Sequence, residues 1–312
     1  MTIERALELA ERGRGTTHPN PVVGAVLVRD GEVVGEGWHE RAGEAHAEVR
    51  AIVAAGERAR GATLYVTLEP CAHRGRTPPC LDAVLEAGVA RVVVGALDPH
   101  PDHGGGLERL QAAGVDVELV DSFDARRQNE AWRTWVSSGR PFVTYKVAVT
   151  LAGRVTVPRS RWVTGEESRR FVHELRAASD AVAVGTGTVR ADDPQLTARD
   201  VDAPRQPRRL VFGRTPLPAG SELELLSGPL ADELRQLARD GVQSLLLEGG
   251  PTLATAFLTA GLVDKLLVFV APVLGGSGPH FLHAVDAPVR LIRLRARAVG
   301  EDVLLSGYIH EP

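Results

Sequence analysis

Apolar runs alternate with amphipathic segments along the first part of the chain. Residues 3–12 have the apolar spacing of a helix, and VVGAVLV and EVVGEGW have the pattern of two strands joined by a turn at residues 29–31. The segments that follow are HAEVRAIVAAGERAR (helix), ATLYVTLEP (strand), PPCLDAVLEAGV (helix), ARVVVGAL (strand), GGLERLQAAG (helix) and VDVELV (strand). Two hairpin-paired strands followed by alternating strands and helices predict a mixed sheet with helices on both faces.

A second α/β pattern begins after a helical connector, residues 122–136, and the segment SSGRP. Its main segments are PFVTYKVAVTL, DAVAVGTGTV, RRLVFG, SLLLEGGPTLATAFLTAG and DKLLVFVAPVLGG. A chain of 312 residues is long for a single hydrophobic core. We therefore predict two α/β domains, residues 1–140 and residues 141–312.

Charge and hydropathy exclude two classes of partner. The formal net charge of −4 gives no broad basic surface, which argues against a nucleic-acid partner. No apolar run approaches the roughly 20 residues of a membrane span, so we expect no membrane partner. The N-terminal MTIERALELAERGRG is a charged amphipathic helix rather than a signal peptide. We expect a cytoplasmic protein whose thiols stay reduced.

The two cysteines of the chain, Cys71 and Cys80, lie in TLEPCAHRGRTPPC. In a reducing compartment such a pair is more typical of metal binding or catalysis than of a disulfide. Cys80 lies near a predicted helix start, for which Thr77 is a candidate N-cap and Pro78 or Pro79 suits the first turn. Cys71 follows the end of a predicted strand.

Upstream, GEAHAEVRAI contains His46 and Glu48. Residues two apart do not share a helix face, so these two act together only if the helix begins near His46. One imidazole and two thiolates leave a fourth position open, as in catalytic zinc sites, where zinc lowers the pKa of bound water. H-x-E followed by P-C and a second cysteine is the zinc-deaminase signature, although the second cysteine here lies nine positions on rather than three.

Each of these residues alone has an ordinary explanation, since single histidines and cysteines are commonly surface or core residues. Only the ordered set favours a metal site. A non-catalytic zinc scaffold is an alternative, against which the free Glu48 and the open ligand position argue.

The second pattern contains no G-x-G-x-x-G, and GTGTVR is only a partial match. In LLLEGGPTLATAF a strand ends at Glu248, Gly249 and Gly250 allow a close approach, and Thr252 can cap the next helix. Backbone N–H groups at such a helix start can hold a phosphate, but strand–glycine–helix turns are common without one.

Several motifs resemble those of the bifunctional deaminase/reductase family of riboflavin biosynthesis, the RibD family. In the first domain they are THPNPVVGAVLV, GEGWHERAGEAHAEV, YVTLEPCAHRGRTPPC and LEAGVARVVVG. In the second they are PFVTYKVAVTLAGR, RWVTG, RRFVHELRAASDAVAVGTGTVRADDPQLTAR, LLLEGGPTLATAFLTAGLVD and VFVAPVLGG. The long cysteine spacing separates this family from cytidine and tRNA-adenosine deaminases. The resemblance implies a cytidine-deaminase-like α/β/α sandwich followed by a dihydrofolate-reductase-like α/β domain.

The implied activity is riboflavin biosynthesis in two steps. Zinc, one per chain, serves hydrolytic deamination of 2,5-diamino-6-(5-phosphoribosylamino)pyrimidin-4-one, and NADPH then reduces the ribosyl side chain to ribityl. By resemblance, zinc is held by His46, Cys71 and Cys80, Glu48 is the catalytic proton carrier, and Asn20 binds the pyrimidine. His73, Arg74 and Arg76 are interpreted as a loop over the substrate, with His73 outside the metal shell.

The resemblance also implies contacts in the second domain. NADPH contacts are Ala148, Trp162, Thr188, Asp192, Gly250, Pro251, Thr252, Leu253, Ala254, Thr255 and Ala256, with Arg214 placed to bind the 2′-phosphate. Substrate contacts are Ser160, Leu196, Arg199 and Glu248. Lys146 is weakly favoured as a site residue over an exposed strand lysine. The structural alternatives are a core Trp162, a simple turn at residues 192–194 and a solvated Arg199.

Three departures from the family pattern affect the second domain. Ala152 replaces an acidic residue in the family's S-L-D-G, the segment between Gly153 and Trp162 is slightly short, and Gly213-Arg214 replaces D-S. They leave open a deaminase whose second domain is structural or dimerising.

Deamination of another nucleotide or of tRNA is a further alternative, against which the acidic charge and the full-length resemblance argue. We expect a small-molecule substrate and a homo-oligomer, either a dimer or a tetramer.

Overall fold

The computed structural model describes residues 2–73, 78–100, 104–285 and 287–312. The chain divides into two compact units, Met1–Ser138 with Pro312, and Gly139–Glu311. None of the helices in the described ranges is long and apolar enough to cross a membrane.

The first unit is built around a mixed five-stranded sheet with the order β2-β1-β3-β4-β5. Its elements are α1 (Ile3–Glu11), β1 (Gly24–Arg29), β2 (Glu32–Trp38), α2 (Ala47–Ala55), a 3-10 turn (Gly56–Ala59), β3 (Thr63–Val66), α3 (Cys80–Glu86), β4 (Arg91–Val94), α4 (Gly106–Ala112), β5 (Asp116–Leu119), α5 (Phe123–Gln128) and α6 (Glu130–Ser138). Strand β1 pairs antiparallel with β2 and β3, whereas β3, β4 and β5 are parallel. The predicted mixed sheet is confirmed.

Alternate residues of β1 pack against helices on opposite faces of this sheet. Ala25 and Leu27 belong to the core that α2, α3 and α4 cover, whereas Val26 packs with Leu9 of α1. Helix α2 lies unusually close to β2, because a Cβ atom on Gly37 would lie 2.5 Å from the carbonyl oxygen of Ala47. The glycine in β2 therefore fixes where α2 begins, and with it the position of His46.

The second unit contains an eight-stranded sheet with the order β10-β9-β8-β11-β6-β12-β15-β14 and a small β13-β7 pair. Its elements are β6 (Phe142–Thr150), β7 (Arg154–Thr156), α7 (Glu166–Ala178), β8 (Ala181–Gly185), α8 (Thr186–Asp192), β9 (Arg208–Phe212), β10 (Glu224–Leu226), α9 (Leu230–Arg239), β11 (Ser244–Leu247), α10 (Pro251–Thr259), β12 (Lys265–Ala271), β13 (Ser277–His280), β14 (Ile292–Val299) and β15 (Asp302–Tyr308). From β10 to β12 every pair is parallel, so one edge of the sheet collects the carboxyl ends of these strands.

Helices cover both faces of the parallel part. Leu234 of α9 and Phe257 of α10 pack on one face, and Val189 of α8 packs on the other. The sequence pattern had left α7, α9 and the β14–β15 hairpin unassigned. Strand β14, IRLRARAV, is almost entirely exposed and alternates arginine with apolar residues, so its pairing with β15 decides its structure rather than burial.

A buried carboxylate anchors the beginning of the second unit. The side chain of Asp264 is 3 % exposed and accepts two hydrogen bonds of 2.7 Å from the guanidinium of Arg140, and one of 2.8 Å from the backbone N–H of Val143. Asp264 directly precedes β12, while Arg140 and Val143 flank the start of β6. The pair thus fixes where these neighbouring strands begin.

Replacing Asp264 by alanine is expected to lower the free energy of unfolding of the second unit by about 3–5 kcal/mol, because a buried arginine loses its partner. Urea unfolding followed by circular dichroism measures this loss. The matched control is Asp232→Ala, which removes an exposed Asp232–Arg235 pair and should cost under about 0.5 kcal/mol. Equal losses in the two variants would contradict the anchoring role of Asp264.

Candidate functional site

Three potential metal ligands converge in the first unit. His46 is the N-cap residue of α2, and Cys80 is the first residue of α3. Cys71 lies beyond the end of β3. Among the described residues, the ligand atoms of these three side chains lie within 4.8 Å of one another. Both predicted helix starts are confirmed, but Pro79 is the N-cap of α3, so the predicted N-cap at Thr77 is wrong: the helix begins directly after the prolines.

The spacing of the donor atoms fits a tetrahedral zinc ion. His46 Nδ1 lies 3.0 Å from Cys80 Sγ and 3.6 Å from Cys71 Sγ. Zinc bonds of about 2.3 Å to sulfur and about 2.0 Å to nitrogen would place the ligand atoms about 3.5–3.8 Å apart. The distance from His46 to Cys71 Sγ already fits, and the distance to Cys80 Sγ must lengthen slightly, so the donor set is suited to zinc.

The thiol groups of Cys71 and Cys80 affect each other's pKa. The hydrogen bond from the Cys80 thiol, with help from His46, lowers the pKa of Cys71. The same interaction and burial raise the pKa of Cys80. The backbone N–H of Cys80, at the start of α3, also donates to Cys71 Sγ at 3.3 Å. A bound divalent cation would favour ionisation of both thiols.

Glu48 lies beside this cluster as a buried carboxyl. The residue is 3 % exposed, and its Oε2 atom has no hydrogen-bond partner among the described residues. Burial raises the pKa of Glu48 to about 7, with His46 opposing and Cys71 adding to the shift. A carboxyl group whose pKa is close to neutral can both take up and release a proton near physiological pH.

The pyrimidine-binding candidate Asn20 is connected to the cluster through His39. Asn20 Nδ2 lies 3.3 Å from His39 Nε2, and His39 Nδ1 lies 3.3 Å from the carbonyl oxygen of Ala45. The imidazole rings of His39 and His46 meet edge to face at 5.2 Å. His39 was not predicted as a site residue; its only sequence signal is its position in GEGWHERAGEAH.

The segment between the two cysteines is described only in part. His73 is half-buried and is not among the three clustered donors of the described residues, in line with its predicted place outside the metal shell. The predicted loop residues Arg74 and Arg76 lie outside the described residues.

In the second unit, the carboxyl ends of three parallel strands meet the starts of two helices. Gly185 ends β8 and is the N-cap of α8, and Gly213 follows β9. A Cβ atom on Gly213 would lie 2.7 Å from Thr186 Cγ2, and one on Gly250 would lie 3.6 Å from Thr188 Oγ1. This crevice at the carboxyl edge of the sheet is where nucleotide ligands commonly bind in open α/β sheets.

Helix α10 begins at Pro251 with Gly250 as N-cap, so the backbone N–H groups of its first turn face the crevice. The prediction that Thr252 caps this helix is wrong, because the N-cap lies two residues earlier, at Gly250, and Thr252 Oγ1 instead contacts His283 Nε2 at 3.1 Å. Within the predicted NADPH segment, Ala254 is fully buried, whereas Thr252 and Ala256 are exposed.

A charged triad lies where β11 ends, beside the middle of β6. Arg176 of α7 donates to both carboxylate oxygens of Glu248, at 2.6 and 3.0 Å, and Lys146 Nζ lies 3.7 Å from Glu248 Oε2. The three side chains are only 10–14 % exposed. Lys146 and Arg176 lower the pKa of Glu248 against the effect of burial, and burial lowers the pKa of Lys146. Two cations and one carboxylate leave an excess positive charge suited to an anionic substrate.

Arg176 was not predicted as a site residue, since on the sequence it is one arginine among many on an amphipathic helix. The signal that could have found it is the buried Glu248, which requires a cationic partner. The exposed lysine alternative for Lys146 does not hold, because its side chain is enclosed next to Glu248.

The predicted substrate segment around Arg199 lies next to this triad. Arg176 Nη1 donates to the carbonyl oxygen of Thr197 at 3.2 Å, and Arg199, which is exposed, donates to Thr197 Oγ1 at 2.8 Å. Leu196 is 1 % exposed and packs with Val184 and Val211, at a positive φ of 55°. Its side chain therefore faces the core and not a ligand.

The remaining predicted contacts lie at the surface. Trp162 is 51 % exposed, with the guanidinium groups of Arg161 and Arg169 about 5 Å from its ring, which excludes the core alternative. Ser160 Oγ donates to the carbonyl oxygen of Trp162 at 2.7 Å. Arg214 and Asp192 are exposed, and Ala148 is half-buried on β6. Asp192 is the last residue of α8, and the turn follows at Asp193, whose φ is 41°.

Comparisons with known proteins match both units. The family model described as "RibD C-terminal domain" matches residues 141–305. The chain belongs to the RibD family. The model described as "Cytidine and deoxycytidylate deaminase zinc-binding region" matches residues 1–96, which include the His46, Cys71 and Cys80 cluster.

Individual RibD proteins match over nearly the whole chain. Riboflavin biosynthesis protein RibD of Escherichia coli is 43 % identical, with 96 % of each chain covered. A solved structure of Acinetobacter baumannii RibD superposes with a TM-score of 0.82 at 38 % identity, covering 98 % of this chain and 97 % of the other. A Thermotoga maritima structure, described as a diaminohydroxyphosphoribosylaminopyrimidine deaminase/5-amino-6-(5-phosphoribosylamino)uracil reductase, has a TM-score of 0.85 at 35 % identity with the same coverage.

Membership of the RibD family confirms the predicted fold class, a cytidine-deaminase-like unit followed by a dihydrofolate-reductase-like unit. The chain is a bifunctional deaminase and reductase of riboflavin biosynthesis that acts on a small molecule. Family membership supports zinc for the deaminase and NADPH for the reductase. The alternative with a degenerate second domain is not favoured.

Replacing Arg176 by methionine is expected to lower the reductase kcat/KM by at least about tenfold, because a charge-assisted hydrogen bond of about 1.5–3 kcal/mol is lost beside the substrate. Ammonia release should stay unchanged. The control is Arg170→Met on the same helix, whose side chain is 72 % exposed. A reductase rate in Arg176→Met equal to that of the control would exclude Arg176 from the site.

Proposed function

We propose that residues 1–140 form the deaminase domain and residues 141–312 the reductase domain. The substrate of the first is 2,5-diamino-6-(5-phosphoribosylamino)pyrimidin-4-one, and the second reduces the deaminated product. The observation that carries the proposal is the clustering of His46, Cys71 and Cys80 beside a buried carboxyl group, Glu48. The full-length match to a Thermotoga maritima enzyme named for these two reactions supports the substrate class.

In the deaminase, His46, Cys71 and Cys80 hold zinc, which acidifies the attacking water when bound. Glu48 takes the proton of this water on the carboxylate and delivers it to the departing amine nitrogen, which leaves as ammonia. Its buried position beside the ligand cluster suits both steps, because the carboxyl group must first take up the proton and then release it.

Asn20 orients the pyrimidine in this proposal. His39 Nδ1 donates to the carbonyl oxygen of Ala45, so its Nε2 atom is the acceptor for the amide N–H of Asn20. The amide oxygen of Asn20 is then left to accept an N–H group from the edge of the ring. Asn20 thus keeps its amide oxygen as an acceptor and its second amide N–H as a donor for the edge of the substrate ring.

In the reductase, the chain positions NADPH, which supplies the hydride to C1 of the opened sugar. The start of α10 from Gly250 presents backbone N–H groups to the cofactor phosphates, and Arg214 is placed for the 2′-phosphate. The remaining cofactor contacts are proposed as Ala148, Trp162, Thr188, Asp192 and residues 251–256.

Substrate binding in the reductase is proposed for Glu248 with Arg176 and Lys146, and for Ser160 and Arg199. The excess positive charge of the triad suits the ribose phosphate. For Leu196 only the backbone remains as a contact, since its side chain lies in the core.

We also propose a cytoplasmic homo-oligomer, a dimer or a tetramer. Leu294 on β14 and Val303 on β15 are 60 % and 42 % exposed on neighbouring strands at the edge of the large sheet. An apolar strand edge of this kind is commonly covered by another chain. The free thiols of Cys71 and Cys80 suit a reducing compartment.

The two activities are tested by supplying the diaminopyrimidine phosphate to the zinc-loaded protein with and without NADPH. Ammonia release is expected in both cases, and NADPH oxidation only after deamination. Supplying the deaminated product directly should give NADPH oxidation without ammonia. Ammonia release with no NADPH oxidation on either substrate would overturn the reductase assignment, and the absence of both would overturn the proposal as a whole.

Replacing Glu48 by glutamine is expected to lower ammonia release by about 10²–10⁴-fold, because the amide cannot carry the proton. Zinc content, measured by inductively coupled plasma mass spectrometry, should remain at one per chain, and NADPH oxidation on the deaminated product should be unaffected. Near-normal ammonia release by a zinc-loaded Glu48→Gln protein would refute the catalytic role.

A further inference from the structure

We propose that Glu69 is a positioning residue of the zinc site, which fixes Cys71 by joining the end of β3 to the start of α4. This inference rests on the proposed zinc ligands and adds a residue that touches none of them. Helix α4 contributes no ligand atom to the cluster of described donors. Its contribution is to hold the segment on which Cys71 lies.

Glu69 is buried, at 5 % exposure, and both oxygens of its carboxylate accept hydrogen bonds from backbone N–H groups. Its Oε1 atom accepts the N–H groups of Gly106 at 2.7 Å and Leu107 at 3.2 Å, in the first turn of α4. Its Oε2 atom accepts the N–H group of Asp98 at 3.1 Å. A buried carboxylate that binds three N–H groups fixes its own backbone as firmly as it fixes the donors.

Two further contacts join α4 to the residues on either side of Cys71. A Cβ atom on Gly106 would lie 2.2 Å from the carbonyl oxygen of Pro70, so helix and strand end meet at van der Waals distance there. Arg109 Nη1 donates to the carbonyl oxygen of Ala72 at 2.5 Å. Glu69, Pro70 and Ala72 are therefore all held by one helix, and Cys71 lies between them.

The other side of Cys71 is held by the helix that carries the second thiol. The backbone N–H groups of Cys80 and Leu81 donate to Cys71 Sγ at 3.3 Å and to its carbonyl oxygen at 3.3 Å. These bonds tie the two cysteines to each other but do not place them against His46. Glu69 and α4 supply that placement, because they tie the Cys71 segment to the carboxyl edge of the sheet.

A glutamine at position 69 cannot reproduce these contacts. Its amide nitrogen would face either Asp98 N–H or the two N–H groups of α4, so one donor is always set against another. The strand end must then shift, and Cys71 with it. Loss of such supporting contacts typically weakens metal affinity by about 10–100-fold.

The first experiment measures zinc release from the full-length, zinc-loaded protein into an excess of a chromogenic chelator. Glu69→Gln is expected to release zinc about 10–100-fold faster than the unmodified chain. The control is Glu86→Gln, the same change at an exposed position of α3, which should leave the rate unchanged. Substituting Co²⁺ gives a second readout, since its visible absorption bands report ligand geometry in the folded protein and should shift only in Glu69→Gln.

The second experiment tests the same contact by steric means. Gly106→Ala pushes α4 away from Pro70, whereas Gly104→Ala meets no atom closer than 3.9 Å. Neither glycine has a positive φ, so both tolerate a side chain by conformation. Faster zinc release is expected for Gly106→Ala alone. Arg109→Met, an exposed change that leaves folding intact, should give a smaller increase in the same direction.

Circular dichroism shows whether each variant is folded, and NADPH oxidation on the deaminated product shows that the second unit is intact. If Glu69→Gln does not fold, Gly106→Ala and Arg109→Met decide the question. Unchanged zinc release and Co²⁺ spectra in all folded variants would overturn the role of Glu69. A failure of the ligand assignment itself is recognised separately: Cys71→Ser would then keep zinc as firmly as the unmodified chain.

Discussion

The first unit depends on placing two thiols, an imidazole and a carboxyl group close together, with Cys80 and Glu48 buried and His46 and Cys71 half-buried. Cys71, Cys80 and His46 lie within 4.8 Å of one another, and Glu48 is buried beside them with a raised pKa. Such groups are unfavourable together without a cation, because each must give up water and the acidic groups repel one another when ionised. Helix starts reduce this cost, since their free N–H groups favour negative charge on Cys71 and Cys80. The fold therefore holds a donor set that suits a divalent cation.

The second unit also contains a buried acidic group, and there the cations of the protein's own side chains stabilise it. Glu248 directly follows β11 at the carboxyl edge of the parallel strands, where a lone buried carboxylate would be costly. Arg176 and Lys146 lower its pKa and keep it ionised despite burial. Because the two cations exceed the one carboxylate, the triad both stabilises the strand ends and leaves a net positive field toward the crevice. In both units the charged groups collect where strands end and helices begin, which is also where backbone N–H groups are free.

Residues that act through local geometry could be predicted from the sequence, and residues that act across the fold could not. His46 and Cys80 were predictable because each directly marks a helix start, and most parallel strands were predictable because they are continuous apolar runs. Glu69, His39 and Arg176 were not predicted, because the residues they contact are distant in the sequence. Asp98 is 29 positions from Glu69, Asn20 is 19 positions from His39, and Glu248 is 72 positions from Arg176. Strand β14 was not predicted, because an almost entirely exposed strand lacks the alternation of buried and exposed residues that indicates a strand. The predicted cap at Thr252 was wrong because Pro251 fits the first helical position, which places the N-cap two residues earlier, at Gly250.

The departures of the second unit from its family pattern affect only the residues next to the substituted positions. Gly213 has a φ of 149°, a conformation that favours glycine, and a side chain there would meet Thr186 at 2.7 Å. The glycine thus lets the end of β9 approach the start of α8, and Arg214 next to it stays exposed. Ala152 lies in an exposed turn after β6. This turn is anchored at its start by the hydrogen bond from Thr150 Oγ1 to the carbonyl oxygen of Gly275 at 2.6 Å. Neither change disturbs Glu248, Arg176 or the start of α10. These substitutions therefore alter the rim of the crevice and leave intact the strand ends on which reduction depends.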